Sequence, residues 1–308
     1  MPKMVSVITC CDSGPLAEES TYYAKVNSNI KYNEIILVDM GSYTPLPKYH
    51  ADRLIRFEEN KGPYAVHHDI IPYLNPYTEV VAFLHTDLMI REQGWDQFIL
   101  AAFSMYPKLG LVGFLGSDEI DMAGGRGGGT MSSFMGYEYK TIWSSKAEVH
   151  GKRALGIHAA AVLDHCGLIF RLSVLKEIPP AAENHVPFHF YDRVVCAEVL
   201  SRGYHLAVCG IECDHASGGT GLSKARISPE MPEPGVLNRD ELYKTWAAKH
   251  NFILKDEPLD QQIYSEGERR YLGKWRDSLH FIPLKVNEDY SITYRHPLHP
   301  LVGEYRVW

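Results

Sequence analysis

Short apolar runs typical of buried β-strands alternate with helical stretches throughout the first half of the chain. The strand-like runs are Val5–Thr9, Glu34–Val38, Arg53–Phe57, Glu79–Leu84 and Leu109–Leu115. The helical stretches, in which apolar residues recur at helical spacing, are Leu16–Val26, residues 64–71 and the segment around Trp95–Phe103. Strands that alternate with helices join through right-handed βαβ units. The pattern therefore predicts a Rossmann-like α/β fold, with a mostly parallel central sheet flanked by helices.

After residue 116 the alternation weakens. Ala123–Thr130 is rich in glycine, but it is not a phosphate-binding P-loop, because the Gly-Lys-Ser/Thr ending is absent and no helix start follows. It is either a loop over a site or a surface excursion. Further along, the pattern predicts a strand, two helices and a strand at Cys166–Arg171, Ser173–Ile178, Phe188–Arg202 and His205–Ile211.

The composition changes beyond residue 222. Three prolines between residues 229 and 234 indicate a linker, and Asn238–His250 has the apolar pattern of an amphipathic helix. The remaining tail is rich in Tyr, Pro and His. We therefore expect a main domain over residues 1–221 and a C-terminal extension over residues 222–308, made of a linker, a helix and an aromatic tail.

Composition limits the class of protein. The chain has 308 residues, 45% of them hydrophobic, and a net charge of −7, which gives no general attraction to nucleic acid or anionic membranes. Its six cysteines, of which Cys10 and Cys11 are adjacent, do not form a disulfide-scaffold pattern, so we expect reduced thiols and a cytoplasmic protein. There is no apolar signal region, and no run approaches the roughly 20 apolar residues of a membrane span.

One strand-like run ends on a short polar motif. The apolar run that closes with Leu84 is followed at once by His85-Thr86-Asp87. A buried strand that ends in this way places a carboxylate at the carboxyl edge of the sheet, where open α/β folds bind ligands. A carboxylate beside a histidine can hold a divalent cation, and a cation can bind a diphosphate. The alternative is an ordinary strand-ending turn.

Several short motifs follow one another in a characteristic order. In the first half they are Val5-Ser-Val-Ile8, Glu34–Ser42, Asn60-Lys-Gly62 and Leu84-His-Thr-Asp87. In the second half they are Asp164-His-Cys-Gly167, Phe188-His-Phe-Tyr-Asp192, Gly203-Tyr204 and His215-Ala-Ser-Gly-Gly219. In this order they resemble the motifs of inverting family 2-like glycosyltransferases of the GT-A fold, over residues 4 to 220.

The resemblance implies a nucleotide-sugar donor, a UDP- or GDP-sugar. It implies that Asp39 accepts a hydrogen bond from the base, and that Cys10, Cys11 and Asp12 line the nucleoside pocket. The family usually has a threonine and an aromatic residue at that last place. His67 falls where the family often has an arginine near the phosphates. The alternatives are a turn aspartate, small buried cysteines and a histidine on a helix surface.

The resemblance also implies a cation site for Mn²⁺ or Mg²⁺. Asp87 matches the second acidic position of the family's D-x-D motif, His85 stands in place of the first, and His215 matches a frequent third metal contact. His85 is either a metal ligand or a hydrogen-bonding partner of the ribose. Mg²⁺ prefers oxygen ligands, whereas imidazole also suits transition metals. A competing interpretation is a zinc site formed by Cys209, Cys213 and His215.

Asp192 is the predicted general base. In the family the matching aspartate belongs to an acidic pair at a helix start, and here Tyr191 replaces the first acid. Inversion at an anomeric carbon requires a carboxylate that takes the proton of the acceptor hydroxyl. An N-cap role is compatible with the same position. Asp164, matching a position in the acceptor half, is expected to contact the acceptor sugar.

The leading functional prediction is a metal-dependent inverting glycosyltransferase. A sugar nucleotidyltransferase is the first alternative, although the segment after the first strand, residues 10–15, lacks the basic residues that such enzymes carry there. A non-catalytic glycan-binding module on the same fold is the second. The acceptor stays open: a glycan, a lipid-linked sugar, a protein or a modified nucleic-acid base.

Overall fold

The computed structural model describes residues 3–10, 12, 14–29, 31–132, 151–180, 185–215 and 234–305. Within this part of the chain, no helix combines the length and the apolar character that crossing a bilayer requires.

The first half has the predicted alternation of strands and helices. Its elements are β1 (Met4–Cys10), α1 (Gly14–Val26), β2 (Asn33–Met40), β3 (Arg53–Phe57), α2 (Pro63–Asp69), a 3₁₀ turn (Ile71–Tyr73), β4 (Val80–His85), β5 (Leu88–Ile90), α3 (Trp95–Met105) and β6 (Leu109–Gly113). Strand β5 and the 3₁₀ turn, each of three residues, have no counterpart in the sequence prediction, because such short segments carry no readable periodicity.

The middle of the chain contains shorter elements. They are β7 (Leu115–Ser117), β8 (Glu119–Ile120), β9 (Thr130–Ser132), β10 (Lys152–Arg153), β11 (Gly156–Ala160), β12 (Val162–Leu163), β13 (Gly167–Arg171), α4 (Leu172–Glu177), α5 (Tyr191–Ser201), β14 (His205–Gly210) and β15 (Cys213–His215). Helix α5 begins three residues later than predicted, because Phe190 has a left-handed backbone with a φ of 64°. A residue in that conformation cannot continue a right-handed helix.

The C-terminal part holds more regular structure than the predicted single helix. Its elements are α6 (Pro234–Lys249), α7 (Leu259–Leu272), a π-helical turn (Gly273–Ser278), β16 (Leu284–Val286), β17 (Ile292–Tyr294) and β18 (Gly303–Tyr305). Helix α6 confirms the predicted helix and starts four residues earlier. Helix α7 and the three short strands were not predicted.

The central sheet has eight strands in the order β11-β14-β6-β13-β4-β1-β2-β3. Neighbours pair in parallel except where β13 and β11 are involved, so the predicted mostly parallel sheet is confirmed. Because β13 runs opposite to β4 and β6, the residues that precede β13 lie at the carboxyl edge of the parallel strands. Asp164, His165 and Cys166 therefore reach the same edge as the end of β4.

Each face of the sheet is covered by helices. Side chains alternate along a strand, so Ile35 and Leu37 of β2 face one hydrophobic core while Ile36 and Val38 face the other. Helices α1 and α3 cover the first face, and α2, α4 and α5 cover the second. Burying a large apolar side chain contributes about 1.5–3 kcal/mol, so these two cores fix the positions of the strand ends.

The C-terminal part packs against the second face. Tyr271, Trp275 and Leu284 belong to the same hydrophobic core as the central strands, and β16 pairs with β8. Helices α6 and α7 form a smaller core with Val186. The boundary after residue 221 stays a prediction about chain organisation, while the segments on both sides of it share one core.

Candidate functional site

Three predicted ligand residues meet at the carboxyl edge of the sheet. His85 ends β4, and Asp87 follows it directly before β5. The short strands β5 and β15 pair antiparallel, which places His215 opposite Leu88 and therefore beside Asp87. His215 Nε2 lies 3.3 Å from Asp87 Oδ1, and His85 Nδ1 lies 3.6 Å from the same oxygen. A ribbon of two three-residue strands thus completes the cluster.

The donor set of this cluster suits a divalent cation. One ligand atom from each of His85, Asp87 and His215 lies within 4.8 Å of the others, so the three can converge on one ion. Two imidazoles and a carboxylate suit Mn²⁺ and other transition metals better than Mg²⁺, which prefers oxygen. Burial and the neighbouring His165 lower the pKa of His85, which favours the neutral imidazole that binds metals.

The competing zinc interpretation finds no support. Cys209 and Cys213 are fully buried in the hydrophobic core on the α1 and α3 face. Neither cysteine belongs to a group of potential ligands among the described residues. The His215 side chain is directed to Asp87 rather than to a thiol, so strand parity alone was misleading.

His165 and Tyr191 adjoin His85, and sequence reasoning assigned a role to neither of them. The His85 backbone N–H donates to the Cys166 carbonyl at 3.0 Å, which brings the residue before Cys166 against His85. The His85 and His165 ring centroids are 4.4 Å apart. The Tyr191 hydroxyl lies 3.5 Å from His85 Nε2. The sequence did contain a signal for His165, because the residue lies inside Asp164-His-Cys-Gly167, a motif of the acceptor half.

A second polar group continues from His165 to the predicted base. His165 Nδ1 lies 3.5 Å from Asp192 Oδ2, and ligand atoms of Asp164, His165 and Asp192 lie within 4.8 Å of one another. Asp164 accepts hydrogen bonds from Arg126 Nη1 at 2.9 Å and from the Cys166 N–H at 3.0 Å. The structure therefore brings Asp192 and Asp164 together, beside the cation cluster.

Asp192 is not the N-cap of its helix. Phe190 occupies that position, and Asp192 lies in the first turn of α5 with its Oδ1 accepting the Arg193 N–H at 2.8 Å. A non-glycine residue with a left-handed backbone is strained, and such residues cluster at functional sites. The conformation of Phe190 aims the start of α5 at the sheet edge, where Tyr191 and Asp192 meet the histidines.

The electrostatics favour ionised carboxylates. Burial opposes charge on Asp87, but His215 and His85 outweigh it and hold the pKa of Asp87 well below its usual range. Burial also opposes charge on Asp192, yet the hydrogen bond with His165 lowers the pKa of Asp192. Burial lowers the pKa of His165 and of His215, but the facing carboxylates outweigh it and raise both values. At neutral pH, Asp87 is ready to bind a cation and Asp192 to accept a proton.

Asp39 holds the turn after β2 by hydrogen bonds. Its side chain is fully buried, and its carboxylate accepts the Ser42 N–H at 2.9 Å and the Leu46 N–H at 3.2 Å. The Arg56 guanidinium forms an ion pair with the same carboxylate. In this conformation Asp39 fixes the turn after β2 and presents no oxygen to a ligand, as its alternative interpretation, a turn aspartate, implied.

Asp12 is tied to the same turn. Its N–H donates to Ser42 Oγ at 2.9 Å, and its carboxylate accepts the Tyr43 N–H at 2.8 Å. Cys10 ends β1 in register with Asp39. Cys11 lies outside the described residues. The end of β1 and the turn after β2 are thus joined.

His67 packs into the core on the α2, α4 and α5 face of the sheet. Its side chain is 2% exposed and packs among aromatic rings, with centroids 4.3 Å from Phe83 and 5.8 Å from Tyr191. Burial lowers the pKa of His67 to about 3. The residue therefore supports Tyr191 as part of the core, and its contact with phosphates stays a prediction.

A large cavity of about 1030 Å³ opens next to Tyr64, which contacts Tyr191 at this edge. Its walls come from residues 41–43, residues 58–61, helix α2 and helix α6. Tyr64 lines it and stacks on Tyr191, with ring centroids 6.1 Å apart. The volume is that of a site for a ligand of nucleotide size.

The glycine-rich segment reaches the site. Arg126, in the middle of Ala123–Thr130, makes the hydrogen bond to Asp164 described above. Gly129 approaches Asp118 so closely that a Cβ would lie 2.5 Å from its carboxylate. Of the two interpretations left open by the sequence, the structure supports a loop beside the site.

No protein family and no curated protein matches the sequence. Solved structures do match. The mannosyltransferase PcManGT from Pyrobaculum calidifontis, solved with GDP-Man and Mn²⁺, is 12% identical, covers 89% of this chain and 70% of its own, and has a TM-score of 0.50. TarS 1–349 from S. aureus, solved with UDP-GlcNAc, is 14% identical, covers 90% of this chain and 74% of its own, and has a TM-score of 0.45. At this identity the first match shows the fold alone, and the predicted GT-A fold is confirmed.

Proposed function

We propose that this chain is a metal-dependent glycosyltransferase that moves a sugar from a nucleoside-diphosphate donor to an acceptor hydroxyl with inversion. The observation that carries the proposal is a continuous polar group at the carboxyl edge of the sheet. His165 contacts both His85, in the candidate cation cluster, and Asp192, the candidate base. This polar group lies at the carboxyl edge of the sheet, where open α/β folds bind ligands.

His85, Asp87 and His215 would hold the cation, Mn²⁺ or Mg²⁺. When bound, the cation offsets the negative charge of the nucleoside diphosphate that leaves the sugar. The donor set favours Mn²⁺ for the reason given above. The complex of the similar mannosyltransferase with GDP-Man and Mn²⁺ is consistent with this choice.

Asp192 would act as the general base. The acceptor oxygen attacks the anomeric carbon on the side opposite the diphosphate, so a new C–O bond forms while the bond to the phosphate oxygen breaks. Asp192 takes the proton of the acceptor hydroxyl in this step. His165 holds Asp192 Oδ2 and thereby keeps the carboxylate in place.

The large cavity would accept the nucleoside of a UDP- or GDP-sugar. Asp12 and Asp39 act here through the turn at Ser42, which they hold by hydrogen bonds and which lines the cavity. Cys10 belongs to the same end of β1, and the role of Cys11 in the nucleoside pocket is proposed from the resemblance alone. This differs from direct recognition of the base by Asp39, because the Asp39 side chain is fully buried and its oxygens face the turn.

Two broader statements belong to the same proposal. Membership of the inverting family 2 rests on the order of the motifs. A cytoplasmic location is consistent with the buried, reduced thiols of Cys166, Cys196, Cys209 and Cys213, since reduced cysteines are usual in that compartment.

Replacement of Asp192 tests the proposal most directly. Asp192→Asn should lower kcat by about 10²–10⁴ while donor and Mn²⁺ binding persist, because only the proton acceptor is lost. Calorimetric titration measures binding, and release of nucleoside diphosphate measures turnover. Asp277→Asn, at an exposed carboxylate beside Arg276, is the matched control. Unchanged turnover in Asp192→Asn would refute the role of Asp192.

The products separate the alternatives. Release of pyrophosphate would identify a sugar nucleotidyltransferase, whereas release of nucleoside diphosphate identifies a glycosyltransferase. Donor binding with neither transfer nor hydrolysis would identify a glycan-binding module on the same fold.

A further inference from the structure

A second, smaller cavity opens beside Asp192. It has a volume of about 170 Å³. Its walls include Arg126, Asp164, His165, Phe190, Asp192 and Tyr264. The sites that enclose drug-sized ligands are roughly 300–1,000 Å³, so this cavity is sized for a single ring rather than for an extended chain.

The polar side of this cavity is a pair of charged groups with fixed geometry. Arg126 Nη1 donates to Asp164 Oδ2, and the Cys166 backbone N–H holds the other Asp164 oxygen. A guanidinium offers only donors, and an ionised carboxylate offers only acceptors. Adjacent hydroxyls on one ring both donate and accept, so they match this pair of groups better than a single hydroxyl does.

The apolar side is formed by aromatic rings from two parts of the chain. Tyr264 of α7 lies 5.0 Å, centroid to centroid, from Phe190 at the start of α5. Tyr264 is 37% exposed, so part of its ring is free to meet a ligand. Gly267, one turn further along α7, approaches Val186 so closely that a Cβ would lie 2.6 Å from its side chain. This close packing fixes α7 and holds Tyr264 at the cavity.

We propose that this cavity is the acceptor subsite and that it binds the terminal sugar ring of a glycan. Tyr264 packs on a C–H face of the ring, and the Asp164–Arg126 pair binds its hydroxyls. The inference rests on the proposed function, because it places the acceptor hydroxyl beside Asp192. A peptide hydroxyl is isolated and brings no ring to Tyr264, so it does not use both walls.

The inference makes two residues outside the recognised motifs determinants of acceptor specificity. Arg126 belongs to the glycine-rich segment, and Tyr264 belongs to the C-terminal extension. The extension thereby contributes a wall of the site, which is a role that the motif order did not assign. The proposal covers free glycans and lipid-linked sugars alike, since both present a terminal ring.

The experiment uses the full chain with Mn²⁺ and a panel of methyl glycosides as acceptors. A screen of UDP- and GDP-sugars first selects the donor by its slow hydrolysis to nucleoside diphosphate. At least one glycoside should accelerate release of the diphosphate. Tyr264→Ala should raise the KM for that glycoside by about 2- to 10-fold, the range of a lost aromatic contact. Tyr264→Phe should retain the wild-type KM, and Tyr77→Ala, at an exposed tyrosine, is the control.

The donor readouts keep the two proposals separate. Donor KM should be unchanged in Tyr264→Ala and in Arg126→Ala, whereas both variants should raise the glycoside KM. If donor hydrolysis persists but no glycoside accelerates it, or a peptide or oligonucleotide does so instead, the acceptor inference fails and the proposed function stands. An equal effect of Tyr264→Ala on donor and acceptor kinetics also overturns it. A wild-type protein that neither binds nor hydrolyses a donor refutes both proposals. Comparison of a methyl glycoside with a lipid-linked form of the same sugar distinguishes a free glycan from a lipid-linked sugar as the acceptor.

Discussion

Asp39 and Asp87 both lie where a parallel strand reaches the carboxyl edge of the sheet, yet their carboxylates have different partners. Asp39 is fully buried and accepts hydrogen bonds from two backbone N–H groups beside an arginine. Asp87 lies between the imidazoles of His85 and His215. Backbone amides and a guanidinium stay protonated and hold a carboxylate permanently. Imidazoles lose a proton easily and ligate metals, so their partner carboxylate can serve a cation.

The comparison shows that the partners, rather than the position, decide what a strand-end aspartate does. In the sequence both residues follow apolar runs and precede polar turns. In the structure Asp39 holds the turn that lines the large cavity, and Asp87 is a candidate metal ligand. Of the three tests below, the first two change one side of this contrast at a time, and the third compares a buried histidine with the histidines beside Asp87.

The largest expected effect is that of Asp87→Asn. Loss of a partner outside the ligand shell already lowers metal affinity by about 10–100-fold, so loss of a ligand should cost at least about 100-fold in Mn²⁺ affinity. Turnover should fall with it, and the midpoint of urea unfolding in EDTA should fall as well, because the lowered pKa of Asp87 means that the folded state stabilises its ionised form. Titration calorimetry and urea denaturation measure the two quantities. Unchanged Mn²⁺ affinity would remove Asp87 from the cation site.

Asp39→Asn should lower stability without loss of Mn²⁺ affinity. The substitution leaves Arg56 without its ion-pair partner and presents an amide to backbone N–H groups, so the free energy of unfolding should fall by about 2–4 kcal/mol. Mn²⁺ affinity should stay within a factor of about two of the wild type, because Asp39 touches none of the three ligands. A variant that kept full stability but lost Mn²⁺ would reverse the assignment of the two aspartates.

The smallest expected effect is the contribution of His67 to the pH dependence of stability. His67 is buried among aromatic rings with a pKa of about 3, whereas Asp87 raises the pKa of His215. Above pH 6.5 His67 is neutral in both the folded and the unfolded chain. As the pH falls below that value, His67 binds a proton in the unfolded chain but not in the folded chain. The free energy of unfolding therefore falls by up to about 1.4 kcal/mol per pH unit.

His67→Phe isolates this contribution. The replacement keeps an aromatic ring in the core and removes the titrating group, so unfolding free energies measured in urea and EDTA between pH 6.5 and 4.5 should decline less steeply than those of the wild type. Identical slopes in the two proteins would mean that His67 is protonated in the folded state. That result would contradict its burial.

Much of the fold could be predicted from the sequence because the signal is local. Buried strands and amphipathic helices are encoded by apolar residues at fixed spacing, as in β2 and α3. Strand-end polar residues such as His85 and Asp87 can be located in the same way. The late start of α5 could not, since it depends on the left-handed backbone of Phe190.

The candidate site was predictable only in part because its members are brought together by distant strand pairings. Antiparallel β13 places His165 beside His85, and the β5–β15 ribbon places His215 beside Asp87. Segments of three residues are too short for their pairing to be read from periodicity. His67 shows the converse error, because its helical position did not reveal that its face of α2 is buried.

The sequence by itself determined the α/β class, the order of strands and helices, and the presence of carboxylates at strand ends, because each depends on neighbouring residues. Only the packing of distant segments sets which carboxylates are consumed by internal hydrogen bonds, which face histidines, and that Tyr264 of α7 lines the cavity beside Asp192. The physical reason is that the chemistry of a carboxylate depends on the donors within about 3–4 Å, and those donors come from segments far apart in the chain.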